Sequence, residues 1–480
     1  MLFNSFEFIF FFLPAVLAGY FLLGRFAPPN FAKIFTVAAG FFLYGWWDVS
    51  YVPLLAASIL VNYIFSGGIL RFRGEKDNLS KVCFWLGAVA NIALLSYFKY
   101  TDFFLANINK IFGQDFPLLN IVLPLGISFF TITQLLYLID CRAGTVKDHD
   151  IVDYALFVSF FPHLLAGPIL YHRPIMKQFR DDGILRPDFE NLSRGLMLFI
   201  IGLTKKVIIA DAFSASVAAT FDGGNHGFFA AWLASICYML QLYFDFSGYS
   251  DMAIGIARML NIKIPPNFNA PYRAKSIINF WQRWHISLTN AITACIYTPL
   301  MQSFLRKSQN ISRELPLKYV AFCSFVAFFI AGVWHGAGWH YVIFGLIHGG
   351  AVAVNQIWRR YGFSLPSFAA HGLTLLTVLI SFVFFRAPSA TVAADMLKNM
   401  FDFSAVDVHG VYMFLTGEIF AAYPTEIMAI AILAAAFSPP SQDIVKKSEP
   451  RTATAAIFAA ALAWVILHLT NMTEFLYFQF

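Results

Sequence analysis

Three histidines, His335, His340 and His348, stand within one apolar stretch, FFIAGVWHGAGWHYVIFGLIHGG at 328–350. An uncharged imidazole is well matched to taking and returning a proton near neutral pH. An ionisable group inside a segment long enough to lie within a bilayer reads as functional until a structural partner is found for it. His335 lies between Trp334 and Gly336, with Gly338 two residues on and Trp339 after it. Glycine there allows a helix to break and another group to approach closely. The bland alternative is a histidine that caps a broken helix or bonds a nearby carbonyl. His340 and His348 lie about 140° and 220° around an ideal helix from His335, so they are expected to be structural or to line another part of the interior.

A second cluster begins YFDFSGYSDMAIG at 243–255 and continues PPNFNAPYRAKSIINFWQRWHISL at 265–288. It offers Asp245, Asp251, Arg273, Lys275, Asn279, Trp281, Arg283 and His285. On a helix, Arg283 and His285 would not share a face. His285 can then turn inward while Arg283 stays toward water or a phosphate. For Asp245, Asp251 and Arg273 the competing reading is a salt-bridge network between these aspartates and arginines near the membrane surface. A third segment, FPHLLAGP at 161–168, carries His163.

These residues need a scaffold, and the composition names its class. The chain is 59% hydrophobic and only 12% charged, against about 25% charged in a soluble domain. It is expected to be an all-α polytopic membrane protein of about 11–12 transmembrane helices, forming one membrane-embedded unit over 1–480 with its motif core at about 154–358. Two regions fit poorly as simple spans. Residues 154–170 carry Pro162, Gly167 and Pro168 between polar flanks, which suits a re-entrant segment. Residues 261–318 read as short interfacial helices. With the amino terminus placed outside, 27 of the 33 Lys and Arg fall in cytoplasmic loops, while Lys99, Lys110 and Lys398 fall outside. Both termini are then extracytoplasmic. No basic segment remains to suggest nucleic acid, and five widely spaced cysteines suggest neither a disulfide framework nor a metal site.

Taken in order, FPHLLAGP, YFDFSGYSDMAIG, FWQRWHISL at 280–288 and GVWHGAGW at 332–339 resemble the membrane-bound O-acyltransferase family, in its bacterial polysaccharide O-acetylation branch. The opening MLFNSFEFIFFFLP and the late FFRAPSATVAADML at 384–397 are similar to the same branch. The resemblance implies a ring of tilted helices around a central tunnel, where a cytoplasmic acyl donor meets an acceptor from the other side. It implies that His335 is the catalytic histidine and that His285 holds the second motif position. It also implies acetyl-CoA as the donor substrate with no bound cofactor, a separate extracytoplasmic acyl-accepting protein or an exported polysaccharide as partner, and the bacterial cytoplasmic membrane as the location. One tract departs from the pattern: where relatives commonly carry Arg and Asp, this chain has Thr293 and Ala294.

The expected chemistry is acyl transfer to a hydroxyl. His335 would act as base, and His285 would orient the donor or stabilise the oxyanion. Arg273, Lys275 and Arg283 would meet a phosphate-bearing donor, and Asp245, Asp251, Asn279, Trp281, Trp334, Trp339 and His163 would line the tunnel or support it. The alternatives are acyl transfer from a carrier-protein thioester, such as a D-alanyl group, and a secondary transporter using Asp245 or Asp251.

Overall fold

The structure, a computed structural model, describes residues 1–480 except 224–226, 309–316, 363, 407–422, 450, 470–472 and 480. Among the described residues there are helices and turns but no strand. The first half holds α1 (Leu13–Phe26), α2 (Pro29–Trp47), α3 (Val52–Phe72), α4 (Asp77–Phe112), α5 (Ile127–Ala143), α6 (Ile151–Ser159), α7 (Phe161–Leu164), α8 (His172–Phe179), α9 (Phe189–Thr204), α10 (Ser214–Phe221) and α11 (Phe228–Met259). The second half holds α12 (Ile277–Trp281), α13 (Ile286–Ile292), α14 (Thr298–Ser308), α15 (Leu317–His335), α16 (Trp339–Arg360), α17 (Ser367–Arg386), α18 (Ala390–Phe401), α19 (Thr425–Phe437), α20 (Ser441–Lys447) and α21 (Thr452–Leu467).

Seven helical segments among the described residues are long and apolar enough to cross a bilayer, and an eighth counts if α19 and α20, bent by 72°, form one span. The fold class is as expected, but the number of full-length spans is lower than twelve. The reason is local. The 17 residues of α5 and the 16 of α21 extend about 24–26 Å at 1.5 Å per residue, short of a hydrocarbon core of about 30 Å. The apolar run at 194–214 does not continue as one α-helix: α9 gives way to a π-helical turn at Lys205–Ala210 and a 3₁₀ turn at Asp211–Phe213.

Close glycine contacts set the helix pairs around the centre. Gly195 of α9 faces Gly255 of α11, and Gly202 faces Gly248; a Cβ on Gly202 would stand 2.4 Å from the Gly248 carbonyl oxygen. Both pairs repeat at seven residues, so the two helices pack backbone to backbone along a seam. Gly332 of α15 and Gly345 of α16 do the same at the hairpin that carries the three histidines.

Residues 154–170 form the broken segment expected of a re-entrant stretch. α6 stops at Ser159, α7 makes one turn, and the chain leaves again toward α8. Protein surrounds the break: residues 157–170 are buried, and Gly40 of α2 lies so close that a Cβ there would come within 2.0 Å of the Ser159 carbonyl. His163 helps satisfy the interrupted backbone, its Nε2 lying 2.8 Å from the Phe157 carbonyl. The interfacial region 261–318 is built of short helices, as expected, as far as Ser308. At 387–424, which the sequence reads as a connection on the outer side, residues 407–422 lie outside the described residues.

Candidate active site

His335 is the last residue of α15, where a helix leaves its final carbonyls without intrahelical donors. Two neighbours on α4 supply them. Tyr100 donates its hydroxyl to the Val333 carbonyl at 2.7 Å, and Lys99 Nζ donates to the carbonyls of Trp334 at 2.6 Å and His335 at 2.9 Å. The third Lys99 bond goes to Ser128 Oγ of α5 at 3.3 Å. An ammonium has three protons, and all three are placed. Lys99 was expected in an outer loop; it lies inside α4, where its amino group faces these acceptors and the negative end of the α15 dipole.

The His335 ring is enclosed by aromatics. Phe385 and Trp334 stand at 5.1 Å between centroids, Phe344 at 5.7 Å and Tyr477 at 6.0 Å. Its Nδ1 is buried without a partner, as is the indole nitrogen of Trp334.

His285 reaches the same place from the other motif. It precedes α13 with φ 42° and ψ 53°, a left-handed backbone uncommon outside glycine. The loop at Asn267 holds that conformation: the Asn267 carbonyl accepts from Ile286 N–H at 3.0 Å, and its side-chain Oδ1 accepts from Ser287 N–H at 3.1 Å and Ser287 Oγ at 2.8 Å. Ser287 Oγ also accepts from Ile169 N–H at 3.0 Å, tying the re-entrant segment to this motif. His285 itself is fully buried, edge-on to Phe246 at 4.6 Å and to Tyr477 at 5.9 Å. The two histidines, fifty residues apart, thus flank one aromatic ring.

Tyr477 comes from the end of the chain and stacks on Phe246 at 3.9 Å. Its segment is anchored by charge: Asp245 accepts from Leu476 N–H at 3.1 Å, while Lys206 donates to Thr473 Oγ1 at 3.0 Å and to the Glu474 carbonyl at 3.1 Å. Asp245 pairs with Lys206 at 2.7 Å, and Asp251 pairs with Lys205 at 2.7 Å while accepting from Ser441 Oγ at 2.6 Å. The expected ionic network exists, but its cations are these adjacent lysines and not Arg273. The π-helical turn beginning at Lys205 lets two successive lysines reach two aspartates on α11.

The remaining candidates fall in several places. Arg273 donates to the carbonyls of Ala436 at 2.8 Å and Ser438 at 2.7 Å, capping α19. Arg283 donates to Asn279 Oδ1 at 3.1 Å and to the Asn269 carbonyl at 3.2 Å. Lys275 lies with Arg359 and Trp358 on a groove of about 660 Å³ between α16 and α17. Trp281 donates its indole N–H to His348 Nδ1 at 3.2 Å, which gives His348 its structural partner, and Trp339 donates to Asn107 Oδ1 at 2.9 Å near the surface. Thr293 bonds back to the Thr289 carbonyl at 2.7 Å and, with Trp281, Asn290 and Gln356, lines a cavity of about 380 Å³. Two further cavities reach the His285 motif: one of about 330 Å³ touches Asn267 and Ile286, the other of about 490 Å³ touches Ile286, Ser287 and Arg173.

Lys99, Asn267 and Tyr477 escaped the sequence reading. Only Lys99 carried a signal, a lysine in the apolar run NIALLSYFKY at 91–100.

The family model for MBOAT, the membrane-bound O-acyltransferase family, matches residues 84–393. The chain is 36% identical to the peptidoglycan O-acetyltransferase of Helicobacter pylori, over 100% of its own length and 98% of that protein. It is 35% identical to the probable alginate O-acetylase of Pseudomonas aeruginosa, over 84% of the chain and 75% of that protein. With the teichoic acid D-alanyltransferase of Bacillus subtilis it shares 28% identity over 55% of the chain and 67% of that protein.

Proposed function

The chain belongs to the membrane-bound O-acyltransferase family, and from that premise we propose that it carries acetyl from cytoplasmic acetyl-CoA to a hydroxyl on the far side of a bacterial cytoplasmic membrane. The acceptor is an exported or cell-wall polysaccharide, reached directly or through a separate extracytoplasmic acyl-accepting protein. The observation that carries this reading is the convergence of His285 and His335 on one buried ring.

In the proposed step, His335 takes the proton of the acceptor hydroxyl as that oxygen bonds to the thioester carbonyl carbon. The carbon–sulfur bond breaks as the tetrahedral intermediate collapses, and the thiolate takes the proton back from the imidazolium. A positioned base of this kind contributes roughly 10²- to 10⁴-fold. Lys275, beside Arg359 on an open groove, is the phosphate contact that the geometry supports best, since Arg273 and Arg283 are engaged with backbone carbonyls.

Acetyl is favoured over D-alanyl because the relative named for acetyl transfer matches the full chain, whereas the D-alanyltransferase matches little more than half. With the amino terminus placed outside, 27 of the 33 basic residues fall in the loops the sequence assigns to the cytoplasm, which supports an extracytoplasmic amino terminus. Asp245 and Asp251 sit in lysine pairs, which suits structural anchors better than the coupling sites of a transporter.

Membranes containing the protein, supplied in parallel with labelled acetyl-CoA and with a labelled D-alanyl carrier protein, test the donor. Label is expected in envelope polymer from acetyl-CoA alone, and label from the carrier alone would overturn the assignment.

A further inference from the structure

The hydrogen bonds around Asn267 determine which nitrogen of His285 carries its proton. The backbone N–H of Ser287 can only donate, so the Asn267 atom it meets at 3.1 Å is the carbonyl oxygen Oδ1. The amide is thereby oriented, and its Nδ2 points the other way and donates to Ser250 Oγ at 3.3 Å. His285 Nδ1 lies 3.2 Å from that same Oδ1. An amide oxygen only accepts, so Nδ1 must bring the hydrogen. A fully buried imidazole is held neutral by desolvation and has one ring proton. Nε2 is therefore bare, and it is buried with no partner.

We infer that Asn267 is a positioning residue that fixes His285 as the Nδ1–H tautomer, so that His285 meets substrate as a hydrogen-bond acceptor through Nε2. This rests on the reading of His285 and His335 as the bounds of the reacting centre. It separates the two roles open to His285. A bare Nε2 cannot donate to an oxyanion; it can orient a group that brings an O–H or N–H next to the reacting carbonyl. An unmatched buried acceptor is unfavourable, and such a group completes the site. Both substrates have one: the amide N–H groups of the pantetheine arm of the thioester, and a hydroxyl of the acceptor other than the one that gives its proton to His335. The clasp is preorganised, because the same Asn267 that sets the tautomer also holds the left-handed backbone at His285 through Ile286 and Ser287.

The tautomer is measurable without any turnover, so its outcome is separate from that of the acyl-transfer proposal. Full-length protein labelled with 15N in the histidine rings is reconstituted in proteoliposomes, and His285 is assigned by the signal that His285→Asn removes. Solid-state NMR at neutral pH is expected to show Nδ1 protonated and Nε2 bare. Asn267→Leu should lose that preference, and Asn267→Asp, which still accepts, should keep it. A protonated Nε2 in the unsubstituted protein overturns the inference, and so does an unchanged tautomer in Asn267→Leu. The unsubstituted protein alone decides the tautomer if the leucine variant does not fold. Kinetics then identify the group recognised. Asn267→Leu is expected to raise one KM roughly 10-fold, the scale of one lost hydrogen bond: that of acetyl-CoA if a pantetheine amide is held, that of the acceptor if its hydroxyl is. Asn267→Asp should restore most of it. A fall in kcat with neither KM moved would contradict the recognition role.

Discussion

The imidazole of His335 has no hydrogen bond on Nδ1, so its placement depends on the backbone that ends α15. Lys99 and Tyr100 hold that backbone through three carbonyls. Lys99→Met would leave two of them unmatched, at a cost of about 1–3 kcal/mol each when buried. The expected outcome is a drop of about 10-fold or more in transfer rate, with the KM for acetyl-CoA little changed and partial recovery in Lys99→Arg. Initial rates in membranes check it, and an unaffected rate would remove Lys99 from the site. His335 was legible as a single residue because an ionisable group in an apolar run is conspicuous, and His285 through the motif FWQRWHISL and the family it resembles. Lys99 was conspicuous too, but the charge count read it as a loop marker. Its partner carbonyls lie 235 and 236 residues away, a separation that no local pattern spans. Asn267 was hidden for the opposite reason: a polar residue in a Pro-rich loop is ordinary until its side chain is seen to meet both His285 and Ser287.

At the scale of elements, glycine seams fix the distance between helices and so the width of the centre. Gly202→Val would drive a Cβ to within 2.4 Å of the Gly248 carbonyl oxygen, a backbone atom that cannot swing aside. Overpacking of this kind costs typically about 1–3 kcal/mol, and thermal unfolding in detergent should show a lower midpoint. Gly350→Ala, where nothing lies within 4 Å, should be neutral or slightly stabilising. Equal losses in both variants would mean that the seam is not what sets the packing. Hydropathy located most helices but overcounted full spans, because it registers apolar length and not interruption. The run at 194–214 is apolar on either side of Lys205 and Lys206, yet the chain leaves α-geometry where those two lysines turn toward Asp251 and Asp245. The re-entrant segment was legible because Pro162, Gly167 and Pro168 announce the break directly.

Across the whole molecule, segments from distant parts of the chain close around one centre. α4 and α5 support the end of α15, the 265–288 loops bring His285, and residues 473–478 lie against α11, with Phe475 on Tyr249 at 4.6 Å and Tyr477 between the histidines. Phe3, near the start of the chain, stacks on the same Tyr249 at 4.9 Å. None of this closure could be read from periodicity, which describes each helix by itself. The ordered motifs did announce which loops belong together, and the geometry adds that His285 and His335 flank one ring, that of Tyr477. The most direct test of the account is therefore acetyl transfer by His335→Ala protein, folded as judged by monodispersity in detergent and supplied with labelled acetyl-CoA and acceptor. A loss of about 100-fold or more is predicted; transfer at the rate of the unsubstituted protein would contradict it.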